Sequence, residues 1–451
     1  MNRLFGTDGV RGVANAELTP ELAFNLGKAG AYILSKDQKN PNPKVIIGKD
    51  TRISGDMLEN ALSAGIMAMG GEVIQVGVLP TPAIACLVRS MGADAGVMIS
   101  ASHNPFEYNG IKFFNRDGFK LDDDIEDAIE DIIVRDIDVN SHITGERLGR
   151  CFKEESEAQQ IYMDHLKETF DGTLAGYKVV LDCANGAAFP VAPQVYQALG
   201  AEVILIGDQP DGTNINANCG STHPALLQET VLREKADIGL AFDGDADRLI
   251  GVDEKGRIID GDKLLCICAN MMKQQNQLPN NLVTATVMSN VGFLNYIRSI
   301  GCDIEITAVG DRYVLESMQL TGCMLGGEQS GHIIFLNHST TGDGTLSSLQ
   351  VMKAIRLSGK KPSELADEVT IYPQILINAP VKSENKNKYL KDKEITSEIK
   401  KIEETMNGSG RVLIRPSGTE PLVRVMLEGE DMEQMTSMAN KLASLITLKL
   451  G

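Results

Sequence analysis

Tryptophan is missing from the 451 residues, and aromatic side chains make up only 5% of them. Any core must be largely aliphatic. No apolar run approaches the roughly 20 residues a helix needs to cross a bilayer. The opening Met1-Asn-Arg-Leu-Phe-Gly also lacks the charged, apolar and small-residue regions of a secretion signal. Both absences lead to the expectation of a cytoplasmic protein. Positive charge is scarce as well: 43 Lys and Arg stand against 61 Asp and Glu, a formal net charge of -18. Affinity for nucleic acid or anionic membrane comes from clustered cations, so neither is an expected partner. The 8 cysteines include no Cys-x-x-Cys and mostly lie in apolar contexts, which favours reduced core thiols over metal ligands.

What the chain does contain is a repeat. At 43% hydrophobic and 23% charged residues it has an ordinary globular composition, and its length calls for three or four domains. Three times, an apolar strand, a Gly-bearing or polar loop and an amphipathic helix lead through a small-residue turn into another β-rich run. The copies run from Lys44 to Gly77, from Lys178 to Gly207 and from Leu282 to Ala308. The runs are β-branched and nearly continuous, as in strands buried on both faces, so the expected fold class is α/β: mixed or parallel sheets flanked by helices. Polar stretches at 135–157 and 253–262 separate the copies. Past Tyr372 the pattern changes to a smaller α+β domain, with strand-like runs near 375–381, 410–414 and 422–428 before a final helix. The expected domains are 1–155, 156–255, 256–370 and 371–451.

Four motifs carry chemistry. Ile99-Ser-Ala-Ser102-His103-Asn104-Pro105 closes an apolar strand and presents hydroxyls at a sheet edge, where α/β proteins place ligands. Ser102 is a candidate nucleophile. Adjacent strand side chains point to opposite faces, so His103 need not act on it, and no G-x-S-x-G elbow surrounds it. Asp243-Gly-Asp245-Ala-Asp247-Arg248 puts three carboxylates at alternating positions. Two like charges about 4 Å apart cost about 4 kcal/mol at an effective dielectric of 20, so their convergence needs a divalent cation. Hard oxygen ligands suit Mg2+. Asp243, Asp245, Asp247 and Glu254 also match positions 1, 3, 5 and 12 of an EF-hand loop, but Arg248 stands where that loop requires Gly. Gly326-Gly-Glu328-Gln-Ser330-Gly-His332 offers the polar edge that sugar hydroxyls require. Arg415-Pro-Ser417-Gly418-Thr419-Glu-Pro-Leu-Val-Arg424 combines two guanidinium groups with hydroxyls and a Gly-bearing turn, an anion cradle. Arg11 and the cations of Gly48-Lys49-Asp50-Thr51-Arg52 are placed either at a site or on surface loops.

Taken in this order, the motifs resemble the α-D-phosphohexomutase superfamily, with its phosphoserine, metal, sugar and phosphate loops. The resemblance covers essentially the whole chain. Phe5-Gly-Thr-Asp-Gly-Val-Arg-Gly, the serine loop and the Gly-Gly-Glu-Gln-Ser-Gly-His sugar loop resemble the branch that acts on an amino-sugar phosphate. The resemblance implies four domains around a central cleft, the first three alike. It implies that phospho-Ser102 is the donor. Asp243, Asp245 and Asp247 would hold Mg2+ with a phosphoryl oxygen on Ser102, flanked by Arg248. Glu328, Ser330 and His332 would contact the sugar, while Arg415, Ser417, Gly418, Thr419 and Arg424 would clamp the phosphate that is not transferred. His103, Lys112 and Arg11 are candidates for proton transfer or charge stabilisation. The implied partner is a small phosphosugar and the implied assembly a monomer or homodimer. Glucose or mannose phosphate as substrate, a phosphosugar phosphatase and a non-catalytic sensor are the competing readings.

Overall fold

The threefold repeat becomes three sheets built on one plan. The computed structural model describes residues 3–6, 9–37, 40, 42–139, 143–406, 410–417 and 420–451. In the first sheet, Glu72–Val78, Lys44–Lys49 and Ala95–Ile99 lie parallel, and Tyr108–Asn115 then runs antiparallel to the last of them. Glu202–Ile206, Lys178–Asp182 and Ile238–Phe242 repeat this order in the second, with Leu249–Asp253 as the antiparallel neighbour. Asp303–Thr307, Leu282–Thr286 and Leu325–Gly327 repeat it in the third, closed by Ile333–Phe335. The third parallel strand of each sheet is buried throughout, which is why these runs read as continuous apolar stretches rather than as alternation.

Each plan places one hairpin connection at the C-terminal end of its third parallel strand. The serine motif, the acidic motif and the Gly-Gly-Glu-Gln-Ser-Gly-His motif occupy that connection in the first, second and third sheets respectively. Ligand sites in open α/β sheets collect at this end of the strands.

Two stretches expected to be plain separators contribute strands. Cys151–Lys153 joins the first sheet as a sixth strand beside Glu72–Val78, and Ile258–Ile259 extends the second. Both lie at sheet edges. All three residues of Cys151–Lys153 are exposed, so no apolar pattern marked it. All eight cysteines are free thiols, and Cys151 alone is exposed. Among the described residues no helix is long and apolar enough to cross a membrane.

By its contacts the chain divides into two units, Met1–Met288 with Gly301–Asp367, and Ser289–Ile300 with Glu368–Gly451. The three repeated sheets belong to the first. In the second, Gln374–Pro380, Leu422–Glu428 and Arg411–Pro416 form an antiparallel sheet with Leu422–Glu428 in the centre. Its apolar face packs on Lys393–Met406 and Met432–Leu450 through Val423, Val425 and Leu427 against Ile395, Ile402, Leu442 and Ile446.

Candidate active site

The three hairpin connections of the first unit meet. Ser102 Oγ donates a 2.7 Å hydrogen bond to Asp243 Oδ2, joining the serine and acidic loops. Arg248 and His332 form a backbone bridge, and Leu249 N–H donates to Gly331 O at 3.0 Å, joining the acidic and glycine-rich loops. Residues 141 positions apart in the case of Ser102 and Asp243 thus share one site.

Ser102 is buried, with φ at 52°, a left-handed conformation unusual for a residue with a side chain. The strand has ended at Ile99, so the rule that neighbouring side chains diverge no longer applies. His103 Nδ1 instead lies 3.3 Å from Ser102 Oγ. Gly244, inside the acidic loop, passes so close that a Cβ there would sit 2.5 Å from Ser102 O. Only glycine allows that approach.

The acidic loop supplies a ligand set for a cation. Asp243, Asp245 and Asp247 are all buried, and one carboxylate oxygen from each lies within 4.8 Å of the others. Burial, reinforced by Asp247 and Asp245, holds the Asp243 carboxyl well above its ordinary pKa. Burial and then Asp245 raise Asp247. Carboxylates this close and this dry do not all ionise without a compensating charge. Among the described residues, Asp247 Oδ1 is buried with no hydrogen-bond partner. An all-oxygen donor set with an unsatisfied buried oxygen fits a hard divalent metal. Flanking strands rather than helices confirm that this is no EF-hand.

Two cations and a hydroxyl frame the carboxylates. Lys112, on Tyr108–Asn115, is buried and donates to Asp245 Oδ2 at 2.8 Å, and Thr81 Oγ1 donates to the same oxygen at 2.7 Å. Arg248 N–H donates to Asp243 Oδ1 at 3.2 Å while its guanidinium Nε lies 3.9 Å from Asp247. Arg11 is on Val10–Val13, paired in register with Gly110 of the strand that carries Lys112.

In the glycine-rich loop Ser330 is exposed and Glu328 half-buried, its Oε1 accepting from Gly310 N–H at 3.2 Å. His332 goes the other way. It is buried, its Nε2 stands 3.7 Å from Asp311 and 3.9 Å from Asp247, and neither ring nitrogen has a hydrogen-bond partner among the described residues. Beside it lies a cavity of about 140 Å³ bounded by Lys120, Asp311, Arg312 and Thr340.

The residues expected to form an anion cradle lie in the second unit. Arg415 and Arg424 are direct cross-strand partners. Like charges so placed repel unless an anion or acid joins them, and Arg424 reaches Glu420 at 3.4 Å. Ser417 Oγ accepts from Glu420 N–H at 3.1 Å, and Lys386 Nζ donates to Ser417 O at 2.7 Å. Gly418 and Thr419 lie outside the described residues.

Comparison with known proteins accounts for this plan. Four family profiles match in order: the phosphoglucomutase/phosphomannomutase alpha/beta/alpha domain I over residues 2–139, domain II over 160–256, domain III over 260–372 and the C-terminal domain over 376–445. The chain belongs to the phosphoglucomutase/phosphomannomutase family. Within that family, proteins named phosphoglucosamine mutase are 58% identical in Thermoanaerobacter sp. and 56% identical in Clostridioides difficile, each aligned over 100% of both chains. A phosphoglucomutase/phosphomannomutase family protein from Burkholderia thailandensis has the same fold, with a TM-score of 0.83 at 24% identity over 99% of this chain and 98% of that one. N-acetylphosphoglucosamine mutase of Aspergillus fumigatus, solved with GlcNAc-6P and magnesium, has a TM-score of 0.69 at 17% identity, covering 99% and 96%.

As a phosphoglucomutase/phosphomannomutase family member, the chain brings Ser102, His103, Lys112, Arg248, His332 and the three aspartates together in one unit. Sequence reasoning overlooked Thr81, which lies in no charged or glycine-rich motif, and Lys386, one of many cations in the Lys/Glu/Asn-rich stretch after Val381. It left Lys49 and Arg52 undecided as cations. Lys49 is tied to Asp56 and Glu59, and Arg52 is buried beneath the serine loop.

Proposed function

We propose that the chain interconverts glucosamine 6-phosphate and glucosamine 1-phosphate, using Ser102 as phosphoryl carrier. The observation that carries this reading is Ser102 Oγ held 2.7 Å from Asp243, within a cluster of three buried carboxylates. The full-length similarity to proteins named phosphoglucosamine mutase supports the amino-sugar substrate. We further place the enzyme in the cytoplasm, with domains dividing near residues 155, 255 and 370.

Asp243, Asp245, Asp247 and a phosphoryl oxygen on Ser102 would hold Mg2+, which when bound neutralises charge on the transferring group. The protein's own groups do the positioning. In the forward half, the bond from Ser102 Oγ to phosphorus breaks as phosphorus bonds to sugar O1, and the proton lost from O1 is balanced by one gained at Ser102 Oγ. In the return half, the bond from O6 to phosphorus breaks as phosphorus bonds to Ser102 Oγ, and the proton lost from that hydroxyl is balanced by one gained at O6. His103 Nδ1, 3.3 Å from Ser102 Oγ, is placed to exchange a proton with the serine oxygen. Lys112 is committed to Asp245 and serves charge balance. Arg11 and Arg248 add positive charge near the transferring group. Glu328 and Ser330 contact the sugar, His332 instead faces Asp247 and Asp311, and Arg415, Ser417, Gly418, Thr419 and Arg424 hold the phosphate that stays in place. One anion cradle accepting either phosphate lets the 1,6-bisphosphate turn over between halves.

Comparing kcat/KM for glucosamine, glucose and mannose 6-phosphates, with a trace of hexose 1,6-bisphosphate and Mg2+, tests the substrate. Glucosamine 6-phosphate should be preferred by at least about tenfold, as expected when a site pairs with a polar group the competitors lack. Equal or greater turnover of glucose or mannose phosphate would reassign the substrate. Stoichiometric release of inorganic phosphate would instead make the enzyme a phosphatase.

A further inference from the structure

Both backbone polar groups of Ser102 end in a buried network that no proposed step uses. Its N–H donates to Ser100 Oγ at 2.9 Å, and Ser100 Oγ donates to Asp50 Oδ2 at 2.6 Å. Its carbonyl accepts twice, from Arg52 Nη2 at 2.8 Å and from Asn216 Nδ2 at 2.9 Å. Arg52 is only 3% exposed and Asn216 only 6%.

Arg52 contacts more of the loop than Ser102. Its Nη2 also donates to Asn104 O at 2.8 Å, and its Nη1 to Tyr108 O at 3.0 Å and to Pro105 O. Nε and the backbone N–H are both bonded to Asp50, at 2.8 and 3.0 Å. One planar guanidinium therefore satisfies four carbonyls across the serine loop and has its charge balanced by a buried carboxylate. Asn216 approaches from the second sheet's side and also reaches Asn104 O at 3.3 Å. The loop is thus gripped by one residue from the first repeat and one from the loop that follows the second.

The grip has a conformational consequence. Serine at a φ of 52° is strained, and such a state persists only when its surroundings over-determine it. Rotation into the ordinary right-handed or extended regions would take the carbonyl away from both buried donors and swing Oγ off Asp243. Leaving a buried carbonyl without its two donors costs more than the strain that the left-handed conformation stores.

We propose that Arg52 and Asn216 are positioning residues that lock Ser102 in its left-handed conformation and so aim Oγ at the acidic loop. They act through the serine backbone and touch neither sugar nor phosphoryl group. The inference rests on the reading of Ser102 as carrier.

Asn216→Gly is the cleanest probe. Asn216 itself has a φ of 58°, which glycine adopts without strain, so the substitution removes the amide and keeps the local backbone. Arg52→Lys is the second variant: it retains the charge beside Asp50, but an ammonium cannot reproduce the planar fork. For Asn216→Gly, kcat on glucosamine 6-phosphate should fall roughly 30- to 100-fold, the scale of a 1 Å misplacement of a reacting group. KM should stay within about twofold, since the sugar contacts are untouched. Transfer from isolated phosphoenzyme to sugar in a single turnover should slow by the same factor. Arg52→Lys should show the same split, and if it folds too poorly to assay, Asn216→Gly decides alone. A wild-type kcat in Asn216→Gly, or a loss expressed only in KM, overturns the proposal. Wild-type phosphoenzyme that donates to no hexose phosphate would instead sink the carrier reading itself.

Discussion

Ser102→Ala is expected to lose interconversion by at least about 10⁴-fold in kcat while remaining folded, because removal of a covalent carrier leaves only binding and charge stabilisation behind. The hydroxyl makes one hydrogen bond to Asp243 and one contact with His103, so its loss costs about 1 kcal/mol of stability. Asp243 keeps the N–H of Arg248. Alanine tolerates the left-handed backbone no worse than serine does, and the donors from Arg52 and Asn216 reach the backbone carbonyl rather than the side chain. Activity and stability should therefore separate. Steady-state conversion followed by ³¹P NMR, beside a thermal melt, checks both. Near-wild-type turnover in this variant would refute the carrier role.

Asp245→Ala should lose at least about 100-fold in activity, since altering even the outer partners of metal ligands costs about 10- to 100-fold. Its effect on stability is a contest between two large terms. Removing the carboxylate relieves repulsion on Asp243 and Asp247, on the order of 4 kcal/mol for a pair 4 Å apart at an effective dielectric of 20. It also takes a partner from the buried Lys112 ammonium, a loss of about 3–5 kcal/mol. The two nearly offset, so the melting temperature without metal should move little. What should vanish is the rise on adding Mg2+. In the wild type, a metal that binds only the folded state stabilises by about 2.7 kcal/mol at 100 times its Kd. A variant that melts higher with Mg2+ by as much as the wild type would show that Asp245 is no ligand.

The parts of this site that were legible in the sequence are those whose chemistry forces a residue type at a strand end. Three acids separated by small residues and a hydroxyl after an apolar strand each read through their spacing. The repeat was legible for a related reason: strands buried on both faces must be continuously apolar. Arg52 was not, because a buried arginine has the same sequence signature as a solvated one, and its four carbonyl partners become neighbours only after the serine loop folds. Asn216 was invisible because its partner Ser102 is 114 positions away. His103 comes within 3.3 Å of Ser102 Oγ because the strand, whose geometry would part neighbouring side chains, has ended at Ile99. His332, expected at the polar sugar edge, turns inward toward Asp247 and Asp311, since only the loop's path determines which side of a hairpin a histidine faces. Cys151–Lys153 was missed as an exposed edge strand with no apolar alternation.

A single-turnover chase tests the central claim most directly: Ser102 is charged with a radiolabelled phosphoryl group, the protein is freed of excess donor, and unlabelled glucosamine 6-phosphate is added with Mg2+. Label should leave Ser102 at a rate no slower than kcat and appear first in glucosamine 1,6-bisphosphate and then in the monophosphates, with none in inorganic phosphate. Glucosamine 1-phosphate formed while the label stays on Ser102 would contradict transfer through that residue.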